Sequence, residues 1–206
     1  MNPVGYLTNT VQGLVGDPGI GYDYILAANG VFLRASNPLL TATIQIAPAE
    51  VRGLAPLTES LELVNGRIPL ELIQNTLTFD TLGHREFYER EFYMAVVWQD
   101  GVYHEVIPGQ HGSPASVEYQ RPRHALLDLH THGKMSAFFS GTDDRDEQGF
   151  QLYAVLGRLD QPVKEVALRL GVYGCFAPLA WDEVFIEPLP SRLQVVSPVP
   201  NFEMRR

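Results

Sequence analysis

Short apolar runs broken by turn dipeptides constrain this chain more than any other feature. "YDYILAANGVFLRAS" sets β-rich runs on either side of Asn29-Gly30, and "EFYMAVVWQDGVYHEVIP" does the same around Asp100-Gly101. Asn, Asp and Gly tolerate positive φ, so each dipeptide predicts a tight hairpin. "LLTATIQIAP" alternates over Thr41 to Ile46 like a half-buried strand, and "HALLDLHTH", "FQLYAVLGRL" and "EVALRLGVYGCF" read as further strands. A helix signal lies in "GRIPLELIQNTLTFDTLGH", with Pro69 where a first turn tolerates it, Leu70, Ile73 and Leu77 at helical spacing, and Gly83 as a stop. After the second hairpin, "GQHGSPAS" reads as a loop. The pattern predicts a mixed α/β (α+β) chain with a small β-rich domain over residues 1–65 and a second domain over 66–190. A Pro-rich tail, 191–206, follows as an extended arm or a disordered end.

The 206 residues suffice for a real hydrophobic core. A net charge of -9 at pH 7 disfavours polyanions, so neither nucleic acid nor an anionic membrane is an expected partner. The densest basic spot is Arg121 and Arg123, which read as solvated loop residues. One cysteine, Cys175, excludes an intrachain disulfide and reads as a buried small hydrophobe. The first residues have neither the basic nor the apolar region of a signal peptide, and no apolar run reaches membrane-spanning length. A cytoplasmic location is the expectation.

Chemistry concentrates in "LLDLHTHGKMSAFFSGTDD", Leu126 to Asp144. On a strand, side chains alternate, so Asp128, His130 and His132 project from one face. Two imidazoles and a carboxylate suit a divalent metal of borderline softness, zinc above all. Asp143, returned to the same neighbourhood by the intervening seven residues, is the third candidate ligand; the fourth position stays open. The structural alternative is a capping box, in which Ser140 caps a helix and Asp143 answers from its first turn. The joint pattern H-x-H-x7-S-x-x-D would arise by chance in about one such sequence in 3,000, too seldom to set aside. Asp128 can orient an imidazole through its second nitrogen, or be a surface carboxylate. His104, His111 and His124 read as surface or supporting residues.

"HTHGKMSAFFSGTD" resembles the metal signature of the JAMM (JAB, MPN+) metalloproteases, H-x-H, seven residues, then S-x-x-D, with a glutamate upstream. The resemblance spans roughly residues 66–188 and implies a cytidine-deaminase-like mixed sheet flanked by helices. It implies His130, His132 and Asp143 as zinc ligands and Ser140 as the residue that holds the water or stabilises an oxyanion. The general base would be Glu91, 39 residues ahead of His130 at the head of the strand "EFYMAVVW". Glu89, Glu86 and Glu105 are the rival acids. One departure is Gly133, where the family usually has proline. The β-rich extension ahead of such a domain further resembles the protein A family of bacterial PRTRC systems, which also encode an E1-like adenylating enzyme and a small ubiquitin-like protein. The activity implied is hydrolysis of a peptide or isopeptide bond at the tail of a ubiquitin-like protein. One alternative is a non-catalytic scaffold of the same fold. Amidohydrolase and PHP-type phosphoesterase barrels also carry H-x-H, but need on the order of 250 residues with the pair near their start.

Overall fold

The computed structural model describes residues 2–78, 88–114 and 116–196. It divides into two units, Met1–Gly66 and Arg67–Arg206.

The first unit is a six-stranded sheet of β1 (Val4–Thr10), β2 (Gly13–Asp17), β3 (Tyr22–Ala27), β4 (Gly30–Ser36), β5 (Leu40–Pro48) and β6 (Ser60–Leu63), in the order β2-β1-β3-β4-β5-β6. β1 and β3 run parallel; the other pairs are antiparallel. The first expected hairpin is β3–β4, with its turn one residue earlier than expected. Ala28-Asn29 form the loop, and Gly30 already pairs with Ala27. Gly30 serves close approach here, because a Cβ would lie 2.4 Å from the Ala47 carbonyl oxygen. Leu7, Ile25, Ala27 and Phe32 build a core with Leu57 against it, and Arg34 pairs with the buried Asp23 at 2.7 Å.

The second unit holds α1 (Glu71–Leu77), β7 (Tyr93–Gln99), β8 (Val102–Val106), β9 (Gln110–Ser113), β10 (Ser116–Tyr119), β11 (Ala125–Thr131), α2 (Asp143–Asp146), β12 (Phe150–Gly157), β13 (Lys164–Val172), β14 (Cys175–Pro178), α3 (Trp181–Val184) and β15 (Leu193–Val195). Its sheet runs β14-β13-β12-β11-β7-β8, with β15 also on β13. β11–β12 and β13–β15 are parallel and the rest antiparallel, the mixed sheet that was expected. The Asp100-Gly101 turn joins β7 to β8 with both residues at positive φ, 53° and 83°. α1 starts after Leu70 and buries Ile73 and Leu77; the expected stop at Gly83 lies outside the described residues. No helix among the described residues is long and apolar enough to cross a membrane.

Two expectations are corrected. "GQHGSPAS" is not a loop: its residues contribute to the β9–β10 hairpin, and Gly112 is needed because a Cβ would lie 2.2 Å from the Glu91 carbonyl oxygen. Nor is the Pro-rich tail an arm from its start, since Leu193–Val195 pair with Lys164–Val166; residues 197–206 lie outside the described residues.

Register sorts the side chains of this sheet. Tyr93, His130, Val155 and Ala167 form one row across β7, β11, β12 and β13. Asp128, Tyr153 and Arg169 form the next row on the same face. The opposite face carries Met94, Leu129, Leu152 and Leu168, all essentially without solvent exposure. α1 lies over that apolar face, its Thr76 hydroxyl donating to the Met94 sulfur at 3.3 Å. Two covers lie on the His130 face. β9–β10 packs Val117 and Tyr119 on Tyr93, Ala95 and Val97, and the segment after β11 packs Ala137 and Phe139 on Val155 and Ala167. His130 stands in the row between them.

Candidate metal centre

His130 is the last residue but one of β11 and His132 follows the strand, with Thr131 between them turned the other way. Thr131 N–H donates to the Phe92 carbonyl at 2.8 Å, and the Thr131 hydroxyl accepts from Phe92 N–H at 3.0 Å, so β7 and β11 stay paired beside both imidazoles. The chain then turns at Gly133, with φ +54°. A proline, fixed near -65°, cannot take this conformation, and a Cβ would lie 2.4 Å from the Tyr88 carbonyl oxygen. The departure from the family pattern therefore marks a tight contact.

The seven residues before Ser140 are pinned to the sheet. Leu159 N–H donates to Gly133 O at 2.8 Å, Arg158 N–H to Met135 O at 2.7 Å, and Ala137 N–H to the Glu165 carboxylate at 3.0 Å. Gly157 lies beneath; a Cβ there would be 2.3 Å from Ala137 N and 2.5 Å from Met135 O. Ser140 and Asp143 then form the reciprocal cap that the structural alternative anticipated. Asp143 N–H donates to Ser140 Oγ at 3.2 Å, and Ser140 N–H donates to Asp143 Oδ2. This leaves Asp143 Oδ1 facing His130. One pair of residues thus satisfies both readings, because the cap aims the carboxylate.

His130 Nε2 lies 3.3 Å from His132 Nε2 and 3.6 Å from Asp143 Oδ1. One ligand atom from each residue fits within 4.8 Å of the other two. A tetrahedral zinc with bonds of 2.0–2.1 Å spaces its ligand atoms about 3.3 Å apart, so the two distances from His130 fit such a centre and the three residues could hold a metal. The candidate nitrogens are also in the form that a metal would need. His132 Nδ1 stands 3.1 Å from Ser136 O, an acceptor only, so Nδ1 carries the proton and Nε2 presents its lone pair. Burial pushes His130 down to about 4, against a partial upward pull from Asp143, and burial lowers His132 as well. Both are neutral at pH 7.

Continuing the β7–β11 register beyond Tyr93↔His130 sets Glu91 opposite His132. Its N–H donates to Ser113 O at 2.8 Å, fastening it to β9. Partial burial, and then the Asp143 charge, raise its carboxyl from 4.5 to about 7. The rival acids stand elsewhere. Glu89 is 74% exposed and 3.7 Å from Lys134. Glu105 pairs with Val96, whose side chain is on the apolar face, and it meets Asn75 of α1 at 3.4 Å. Glu86 lies outside the described residues.

Asp128 does not orient an imidazole. It accepts from the Tyr93 hydroxyl at 2.6 Å and pairs with Arg121 Nε at 2.8 Å, so Arg121 is no free loop cation. His104, His111 and His124 are exposed. Sequence alone assigns no role to Arg169, which is buried and paired at 2.6 Å with the buried Glu147. The available signal was an arginine inside the otherwise apolar run "VALRLGV", since buried charges come paired.

No curated protein matches the chain. Residues 72–170, from α1 into β13, match the family model described as prokaryotic homologs of the JAB domain. The match takes in Glu91, both histidines, Ser140 and Asp143, and this domain belongs to the JAB-domain family.

Proposed function

We propose that the protein is a zinc-dependent hydrolase that cleaves a peptide or isopeptide bond at the C-terminal tail of a ubiquitin-like protein. The observation that carries this reading is the convergence of His130 Nε2, His132 Nε2 and Asp143 Oδ1, with Glu91 raised to about 7 beside them. The substrate class, and an E1-like enzyme as a further partner, rest on the resemblance to the PRTRC cassette.

Zinc, when bound, supplies a Lewis acid that polarises a carbonyl and acidifies water. Glu91 takes the proton of the attacking water and returns it to the leaving amine; a carboxyl near 7 serves both directions at neutral pH. Ser140 Oγ already accepts two N–H groups, from Thr142 and Asp143, each at 3.2 Å. Its lone pairs are thereby engaged, which leaves its own proton to donate to a tetrahedral oxyanion, worth roughly 2.7–4 kcal/mol for a well-placed donor.

The test combines elemental analysis with cleavage of a ubiquitin-like protein fused through its tail. Wild type is expected to hold zinc, which His130→Ala and His132→Ala lose. Glu91→Gln keeps the metal while cleavage falls about 10²–10⁴-fold. Equal metal in wild type and both histidine variants overturns the site. Zinc bound by wild type without cleavage turns the reading to a scaffold of the same fold.

A further inference from the structure

We propose that Arg169 is a positioning residue for this metal centre: from β13 it anchors the turn that carries Asp143, and so fixes where the carboxylate ligand points. The inference rests on the zinc reading and adds to it the part of the chain that holds the third ligand in place.

Asp143 lies outside the sheet. Its cap bonds stay within the turn, running to Ser140 N–H and Ser140 Oγ. Those bonds shape the turn but do not tie it to the sheet whose strand β11 leads to the histidines. Arg169 supplies such a tie at both ends of α2. Nη1 donates to Asp144 Oδ1 at 2.6 Å, and Nε and Nη2 donate to Glu147 Oε2 at 3.0 and 2.6 Å. The two carboxylates follow Asp143 by one and four residues, so one planar guanidinium holds the turn from directly behind the ligand to the end of α2.

The guanidinium is itself fixed. Its carbon lies 3.8 Å from the Phe139 ring centre and 3.7 Å from that of Phe176, placing the fork between two aromatic faces. Phe139 directly precedes Ser140, so the same side chain also holds the entry to the cap. Arg169 is 4% exposed and Glu147 7%. Its row on the sheet, Asp128-Tyr153-Arg169, adjoins the row of His130. Backbone register therefore transmits the position of the histidines to the position of Asp143. A lysine, with a single point of charge, cannot span both carboxylates in this geometry.

A purely stabilising ion pair would place the same atoms together, and the experiment separates the two roles. Removing Arg169 alone strands a buried carboxylate, so the informative variant removes both buried charges, as Arg169→Met with Glu147→Leu. Zinc affinity of the full chain is measured by competition with a chromogenic chelator, beside chemical unfolding of the metal-free protein. Expected are metal-free stability near that of wild type and zinc affinity about 10–100-fold weaker. Asp144→Ala, which cuts one arm at a partly exposed carboxylate, is expected to weaken zinc several-fold. Should the double variant not fold, Asp144→Ala decides. Unchanged zinc affinity in a folded double variant, or in Asp144→Ala where only that variant folds, overturns the anchor. Wild type that takes up no zinc overturns the functional reading, and the anchor with it.

Discussion

Ser140 and Asp143 show how little separates a structural motif from a chemical one. A cap usually ends as local stabilisation worth about 1 kcal/mol, but a carboxylate has two oxygens. Here Oδ2 answers the cap and Oδ1 faces His130. Glu91 carries the other titrating group. Its raised pKa means that the folded, metal-free protein keeps a proton that the unfolded chain releases between about pH 4.5 and 7. The stability Glu91 contributes is thus present below that window and lost as pH rises through it. His130, held near 4, acts in the opposite sense between about 4 and 6.5, so the net slope of the wild type is a sum. The difference between wild type and Glu91→Gln isolates the acid. With chelator present, chemical unfolding at a series of pH values is expected to show Glu91→Gln gaining on wild type as pH rises to about 7, then levelling. A difference that does not change with pH would place the ionisation elsewhere.

Among the elements, the two expected hairpins, β5 and the run β11 to β13 were legible because alternation and turn dipeptides are local signals. So was the stretch from His130 to Asp143, whose spacing lies within 14 residues of chain. The choice among Glu86, Glu89, Glu91 and Glu105 was not, because it depends on the pairing of β7 with β11, a fact of register between distant segments. β9–β10 was hidden for a related reason. Its glycine reads as loop composition, yet serves to let Glu91 pass close by. Arg169 was missed because its partners lie 22 and 25 residues away on another element. Gly157 belongs with these contacts, since the segment leading to Ser140 crosses it without room for a methyl group. Gly157→Ala is expected to destabilise by about 1–3 kcal/mol, as overpacking does, and to weaken zinc binding by displacing residues 135–137. Denaturant unfolding and chelator competition on one sample check both; unchanged values would show that the segment can lift away freely.

At the scale of the molecule, the family match falls within Arg67–Arg206, while residues 2–66 form a sheet with its own apolar core. A net charge of -9 favours neutral or basic surfaces on whatever approaches. The chain distances among the site residues also bear on the order in which the site assembles. The three candidate ligands span residues 130–143, whereas Glu91 reaches them only when β7 pairs with β11. Closing the longer loop costs about 0.6 kcal/mol more for each doubling of length, and the pairing needs a sheet that folds slowly. On refolding with cobalt as a coloured substitute, metal absorption is expected in an earlier phase than exchange protection of the Glu91 amide, which is bonded to Ser113 O. Simultaneous appearance would mean that the ligands wait for the sheet. If metal comes first, the proposed hydrolase passes, when newly made, through an interval in which it holds the ion without its proposed base, a built-in delay between loading and competence.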